Sequence, residues 1–400
     1  MSASTLAGVL RPVRRRVLAA ARAGRTRLGY LATLLARERR SRGRQLPLSR
    51  RLWLWRHGFT SRSHALFDVT PATRRDYLSD LQHERANELG SRWDTVVNNK
   101  LLFQLLFGAH PDRLPDLYGV VHGGRVYRDY PGVVPPPHAD GGRSDDAAAT
   151  DGGADTSERA TASPDSDAGE WLAAALDAAG TLVCKPVYGS GGRDVLVCRR
   201  TADGYRVNGN RHSRSAFVDR VRAFDGVLVT EYVEQADYVA RLFPDAANTL
   251  RVLTLWDPET DDPFVAGVVQ RIGTRRSAPV DNWSRGGLSA EIREDGTLSA
   301  GARWEADECE LAWYESHPDT GARIEGTAVP DWPAIRSGVL ELARTVPSLP
   351  RVGWDVLPTG DGAFVVFEAN AHAATRTIQV HRPLLRDPRV RRFYEHHDCL

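Results

Sequence analysis

A chain of 400 residues is too long for one compact core and implies two or three lobes. With 42% hydrophobic and 26% charged residues it has an ordinary globular composition, and a formal charge of +2 gives no reason to expect a nucleic-acid partner. Four cysteines without paired metal spacing exclude a disulfide-stapled scaffold, and neither a bilayer-spanning apolar run nor a secretory signal is present, so a cytoplasmic setting is expected.

Residues 5–37 read as helix, with Leu6, Val9, Leu10, Val13, Val17, Leu28, Leu31, Leu34 and Leu35 at helical spacing and arginines opposite. This basic helical extension, taken as residues 1–50, either packs on the main body or makes a peripheral contact with an anionic membrane surface. Leu52 to Trp55 mark the point where the chain docks onto the folded body. Helices are expected at 70–90 and 97–107, and strands at 117–122 and 124–127 around the turn Gly123-Gly124, within an N-terminal lobe of residues 51–138. Residues 139–169, rich in Asp, Gly, Ala and Ser and without hydrophobic periodicity, are expected to be an acidic disordered insertion. From 170 to 400 the pattern is α+β. Helices are expected at 169–179, 213–222 and 331–346, and strands at 181–187, 194–200, 227–232, 249–256, 264–272, 351–357 and 363–369.

Of 53 basic residues only two are lysines, Lys100 and Lys185. In a chain that uses arginine almost everywhere, lysine survives where a compact ammonium on a flexible stem is needed, such as beside a moving phosphate. Coding bias with two chance survivors explains the same count. Position favours the first explanation. Lys185 lies on a strand four residues before Gly189, Ser190, Gly191 and Gly192, and an alternating apolar strand follows. Glycine lets backbone N–H groups approach an anion closely, so the hairpin tip can fold over phosphates. A Walker loop would have a helix after its glycines.

A second hairpin carries Asp355, a turn at 358–362 whose Asp361 is a turn former, and then Glu368 and Asn370. Residues two apart on a strand share a face, so Glu368 and Asn370 project together, and the turn returns Asp355 beside them. Two carboxylates and an amide oxygen make a hard site suited to Mg²⁺ (or Mn²⁺). Apolar neighbours Val365, Val366 and Phe367 argue against a solvated sheet edge, since carboxylates near a core need a cation. Arg251 and Arg271 lie in alternating strands from which they can reach phosphate or a substrate carboxylate. Cys184 and Cys198 flank the glycine loop as buried packing residues.

These clusters resemble the ATP-grasp superfamily, in the Asp355, Glu368, Asn370 spacing and in Lys185-Pro186 before a glycine hairpin. The stretch TEYVE (230–234) looks like its hinge. The resemblance implies that Glu231, Tyr232, Val233 and Glu234 meet adenine through backbone groups and ribose through an acidic side chain. A closer likeness is to the sugar-transfer associated branch, related to alpha-L-glutamate ligases. It rests on RLWLWRHGF (51–59), NKLLF (99–103), ANTLRVLT (247–254), VDNWSRGG (280–287) and HPDTG (317–321). One departure is Ala236 after Gln235, where the branch has histidine.

The resemblance implies an α+β, ATP-grasp fold with two lobes sandwiching ATP. It also implies phosphates held by Lys100, Lys185, the glycine loop and Asn282, metal held by Asp355, Glu368 and Asn370, and catalysis assisted by Arg251 and Arg271. Asp281-Asn282 with Gly286-Gly287 would form a second anion-holding loop, and His372 and Arg376 would touch the acceptor. The expected reaction is Mg-ATP-dependent ligation, in which an unidentified carboxylate becomes an acyl phosphate that an amine or other nucleophile attacks, in cell-surface polysaccharide or sugar-conjugate biosynthesis. An ATP-dependent kinase of a sugar or other hydroxyl substrate, or a nucleotide-binding accessory protein of a polysaccharide pathway, are the competing expectations.

Overall fold

The computed structural model describes residues 29, 32–36, 38–39, 46–90, 93–137, 167–189, 194–360 and 362–400. Most of the expected helix at 5–37, nearly all of the insertion at 139–169, Ser190, Gly191, Gly192 and Asp361 lie outside the described residues.

Fourteen strands among the described residues form two antiparallel sheets of seven. The first contains β1 (Leu117–His122), β2 (Arg125–Tyr127), β3 (Thr181–Pro186), β4 (Leu196–Thr201), β5 (Gly204–Val207), β6 (Asn210–His212) and β7 (Val227–Glu231), in the order β2-β1-β7-β3-β4-β5-β6. The second contains β8 (Leu250–Asp257), β9 (Asp262–Ile272), β10 (Leu288–Glu291), β11 (Gly301–Glu305), β12 (Glu310–Tyr314), β13 (Arg351–Gly360) and β14 (Ala363–Asn370), in the order β12-β11-β10-β9-β8-β13-β14. Because β1 pairs with β7, strands on either side of the 139–169 insertion share one sheet.

Helices pack on each sheet. The helix Ala168–Ala179 is capped by the Asp167 side chain, which accepts from the Gly169 and Glu170 amides, and it ends at Gly180, whose φ of 74° suits glycine. Its Leu172 and Leu176 join Phe217 and Val221 of the helix Arg214–Arg222 over Leu182, Cys184, Cys198 and Val229. Both cysteines are fully buried, as their strand positions led us to expect. On the second sheet, Ile335, Val339 and Leu342 of the helix Trp332–Arg344 pack with Val352, Trp354 and Phe364. Each such side chain stabilises the fold by about 1.5–3 kcal/mol. Gly338 permits the close approach, since a Cβ there would stand 2.7 Å from the Phe364 ring.

Residues 46–90 are packed into the body. Leu54, Phe59, Leu66 and Phe67 bury themselves against Trp283 and Trp304, so the docking point expected at 52–55 rests on Leu54 while Leu52 stays exposed. Gln379 donates to the Leu78 carbonyl and accepts from the Leu78 amide. Arg351, 2% exposed, donates to Asn87 Oδ1 and to the carbonyls of Ala371 and Ala373, tying this segment to the chain beyond β14.

Two expected helices differ. That at 70–90 is helical only over Asp80–Asn87 with a 3₁₀ turn at Glu88–Gly90. Thr70 and Thr73 hydrogen-bond each other in a turn, and Ser79 with Gln82 forms a capping box that fixes the start at Asp80. The one at 97–107 divides at Asn99, whose Oδ1 accepts from the Leu101 and Leu102 amides and begins a new helix, Lys100–Leu106. Strands β5, β6 and β10–β12 and the helix Pro388–His396 add to the expected elements. Among the described residues no helix is long and apolar enough to cross a membrane.

Candidate functional site

Between the sheets lies a cavity of about 1190 Å³, lined by Lys185 of β3, Glu231 of β7, Arg251 of β8, Arg271 of β9, Asp355 of β13 and Glu368 of β14. Four adjacent strands of the second sheet and the centre of the first therefore face one space. Antiparallel register sets the alignment on the second sheet: Asp355 pairs with Arg251 on one side and with Glu368 on the other. Cross-strand partners share a face, so three charged side chains meet in a row.

The two lysines converge there. Capping by Asn99 places Lys100 at the first position of its helix, where its amide donates to the Val187 carbonyl. Its Nζ donates to the Gly189 carbonyl at 2.9 Å and stands 3.4 Å from Glu368 Oε2. Lys185, 7% exposed, lies with Nζ 5.6 Å from the centre of the Phe367 ring. Burial, and secondarily the charge of Lys100, brings its ammonium down to about 8, with Glu368 opposing. Lys100 thus grips the start of the glycine loop from another part of the chain.

Asp355 is the anionic centre. Arg251 engages it twice, Nε to Oδ1 at 2.6 Å and Nη2 to Oδ2 at 3.1 Å, and Arg271 Nη2 adds a third bond to Oδ2 at 3.0 Å. Burial alone would raise this carboxyl, but the two guanidiniums outweigh it and hold Asp355 below the ordinary carboxylate range. Arg271 also reaches Asp281 at 3.0 Å, and burial of its guanidinium is outweighed by Asp281 and Asp355, which hold it more firmly protonated. Thr249 completes the link. Its amide and Oγ1 donate to Asp281 Oδ2, each at 2.7 Å, while Oγ1 accepts from Arg271.

The expected metal trio is brought together. Glu368 faces Asp355 directly, Asn370 pairs with Gly353 one step along, and Asn370 Nδ2 donates to Glu368 Oε1 at 3.2 Å. The need of carboxylates near a core for a cation is met here by protein groups, since Arg251, Arg271 and Lys100 already balance the carboxylates. The donor types still fit a hard divalent ion, because a carboxylate oxygen that accepts one hydrogen bond keeps a second lone pair. Among the described residues no three His, Cys, Asp or Glu side chains form a metal cage, so an ion here would lean on the Asn370 amide and on ligands from outside the chain.

Other expected residues are placed less directly. Tyr232 and Val233 line the cavity, with the Arg199 guanidinium 5.0 Å from the Tyr232 ring centre. Glu231 lines it too, but its Oε1 accepts from the Asp116 amide. Glu234 is exposed and outside the lining. Asn282 lines the cavity while its Oδ1 accepts from Ser284, capping a short turn that ends at Gly286 with φ 99°. His372 pairs with Asp94 at 2.6 Å and Arg376 with Asp80 at 2.6 Å, and both reach the cavity wall. Gln235, beside the departing Ala236, accepts from Asn248 and donates to the Ala246 carbonyl, a loop-closing role.

Sequence reasoning missed Thr249 and Arg62. Thr249 had a signal, since it stands two residues from Arg251 and so shares its face. Arg62 had none: it is one of many arginines, brought to the cavity by the packing of residues 54–67 on Trp283 and Trp304.

A family model described as sugar-transfer associated ATP-grasp matches residues 87–387. No curated protein matches the chain. Among solved structures it is similar to D-cycloserine synthetase DcsG, with 16% identity over 77% of this chain and 71% of that one, TM-score 0.32. It is also similar to the D-alanine-D-alanine ligase from Coxiella burnetii, with 10% identity over 76% of this chain and 59% of that one, TM-score 0.32. The N5-carboxyaminoimidazole synthase from Aspergillus clavatus gives 10% identity and TM-score 0.32 over 70% of this chain, which spans only 46% of that one. Likenesses this distant carry no argument about chemistry. The family match does not depend on them: it runs over most of the chain and contains both lysines and the Asp355, Glu368 and Asn370 hairpin, and the chain belongs to the sugar-transfer associated ATP-grasp family.

Proposed function

We propose that the protein is a Mg-ATP-dependent ligase that activates a carboxylate as an acyl phosphate for attack by an amine or other nucleophile. The observation that carries this reading is the convergence of Lys100 and Lys185, from a helix and a strand distant in sequence, on Glu368 in a cavity centred on Asp355, Arg251 and Arg271. Phosphoryl transfer asks for charge neutralisation and positioning more than for a protein nucleophile. Two buried ammoniums and two guanidiniums, held by carboxylates that can release them to a ligand, meet that demand.

In this reading Lys100 and Lys185 hold the phosphates of ATP beneath the loop Gly189, Ser190, Gly191, Gly192. Tyr232 and Val233 offer backbone groups to the base, and Glu231, Glu234 and Asn282 are polar contacts at the nucleotide's rim. Asp355, Glu368 and Asn370 hold Mg²⁺ (or Mn²⁺), which when bound supplies charge neutralisation to the phosphate oxygens. A substrate carboxylate oxygen attacks the γ-phosphorus, the bond to the β–γ bridging oxygen breaks, and ADP leaves. The nucleophile then attacks the acyl carbon, the C–O bond to phosphate breaks, and the nucleophile gives up its proton. Arg251 and Arg271 stand where charge on the transferred group and the tetrahedral carbon can be met.

The remaining parts of the reading are the lobes at 51–138 and 170–400, a role in cell-surface polysaccharide or sugar-conjugate biosynthesis, and a cytoplasmic location with peripheral membrane contact through residues 1–45. ADP release screened against pools of amino acids, uronic acids and amino sugars tests the reaction. A ligase consumes two organic substrates and frees phosphate, whereas a phosphorylated product without free phosphate would make the protein a kinase. Liposome sedimentation with and without residues 1–45 tests the anchor, and equal behaviour would remove it.

A further inference from the structure

At the wall of the cavity formed by residues 62, 283 and 376, two guanidiniums face the same space. Arg62 comes from the helix Ser61–Phe67, ahead of the family match, and Arg376 from the helix Arg376–Gln379. Arg62 lies with its guanidinium carbon 5.1 Å from the centre of the Trp304 ring. Its Nε is buried and has no hydrogen-bond partner among the described residues. A donor withdrawn from water and left without an acceptor is costly, and a ligand oxygen relieves it. Burial first, and Arg376 second, bring the Arg62 guanidinium down to about 10, the direction expected where positive charge is in excess.

One carboxylate, Asp80, 6% exposed, pairs with Arg376 and is felt electrostatically by Arg62. It accepts from Arg376 at 2.6 Å, from Ser63 Oγ at 2.7 Å and from the Thr60 amide at 2.8 Å. Burial works against its ionisation, but Arg376 and these donors hold it below the ordinary range. The three groups therefore carry one net positive charge.

The geometry points to Arg62 and Arg376 as an anion subsite that binds a carboxylate of the organic substrate. A monoanion brings the cluster to neutrality, whereas a phosphate dianion would overshoot it, and a planar carboxylate matches the guanidinium fork. This rests on the ligase reading only for what the bound molecule goes on to do. The substrate class it names is an acidic one, an amino acid or uronic acid, gripped in part by a segment that the family match does not include.

The test titrates the full chain calorimetrically with acetate, a monoanion, and, separately, with inorganic phosphate, and measures ATP affinity in parallel. We expect acetate to bind, phosphate to bind more weakly, and Arg62→Gln to weaken acetate at least tenfold while ATP affinity stays within twofold. Arg376→Gln, on a different element, should weaken acetate comparably, and Arg62→Lys should fall between Arg62→Gln and the unaltered protein. Acetate binding that survives Arg62→Gln, phosphate binding tighter than acetate, or an equal loss of ATP affinity would each overturn the subsite. Acetate binding without ATP binding would leave the subsite standing and sink the ligase reading instead.

Discussion

Lys100 Nζ stands 3.4 Å from Glu368 Oε2, a contact that joins the helix following Asn99 to the last strand of the second sheet. The field of the same carboxylate supports the charge on Lys185. In Glu368→Ala both ammoniums lose their counter-charge. We expect ATP turnover to fall by roughly a hundredfold or more, the scale of losing one electrostatic stabiliser, with little change in circular dichroism. Turnover at the level of the unaltered protein would remove Glu368 from the site.

Lys185 gives a pH signature. Its folded value of about 8 lies below its ordinary 10.5, so the folded protein releases this proton first as pH rises. Between these two values the unfolded chain binds more protons, and this group's contribution to stability rises with pH, whereas for most paired lysines it falls. Phosphate binding needs the charged form. The kcat/KM for ATP should therefore decline above about pH 8, and Lys185→Met should have low kcat/KM without that decline. An unaltered descending limb in the variant would assign it to another group.

Asp355 is the reverse case. It is buried and held below the ordinary range by Arg251 and Arg271, so its contribution to stability is present above the unfolded carboxylate value of about 3.9 and is lost as pH falls through its lower folded value. Asp355→Ala leaves two buried guanidiniums short of their partner, a loss of about 3–5 kcal/mol. Urea unfolding should show it, with Arg251→Met costing less because Arg271 still holds the aspartate. Equal midpoints for Asp355→Ala and the unaltered protein would contradict the network.

Arg351 reaches the site only through others. Removing it in Arg351→Met leaves the Ala371 and Ala373 carbonyls without this donor, at about 1–3 kcal/mol each, in the loop that carries His372. Thermal unfolding should fall accordingly. ADP release should weaken through KM for the organic substrate rather than through ATP affinity; loss of ATP affinity instead would place the loop against the nucleotide.

Legibility in the sequence followed distance along the chain. The β13–β14 hairpin was readable because residues 355 to 370 are close in sequence, so period-two alternation and one turn were enough to bring Asp355 beside Glu368 and Asn370. The placement of Lys100 against Gly189 came from composition and resemblance, since no local pattern spans that separation. Asn99 divides the helix expected at 97–107 because its side chain caps a new one, a signal masked by apolar residues at helical spacing on both sides of Asn98-Asn99-Lys100. The cations that neutralise Asp355 were named, but their pairing was missed, because strand register between β8 and β13 depends on pairing partners distant in sequence. Arg62 was invisible: in a chain with so many arginines, only tertiary packing distinguishes one from another.

The rarity of lysine has a practical side. Apart from the amino terminus, the chain's only primary amines are Lys100 and Lys185, and both line the same cavity. Amine-directed reagents such as N-hydroxysuccinimide esters or pyridoxal phosphate therefore act on this protein as site-selective probes. Their incorporation, counted by intact mass, becomes a direct occupancy assay that needs no knowledge of the organic substrate, and Lys185, whose ammonium is brought down to about 8, should become nucleophilic at mildly alkaline pH.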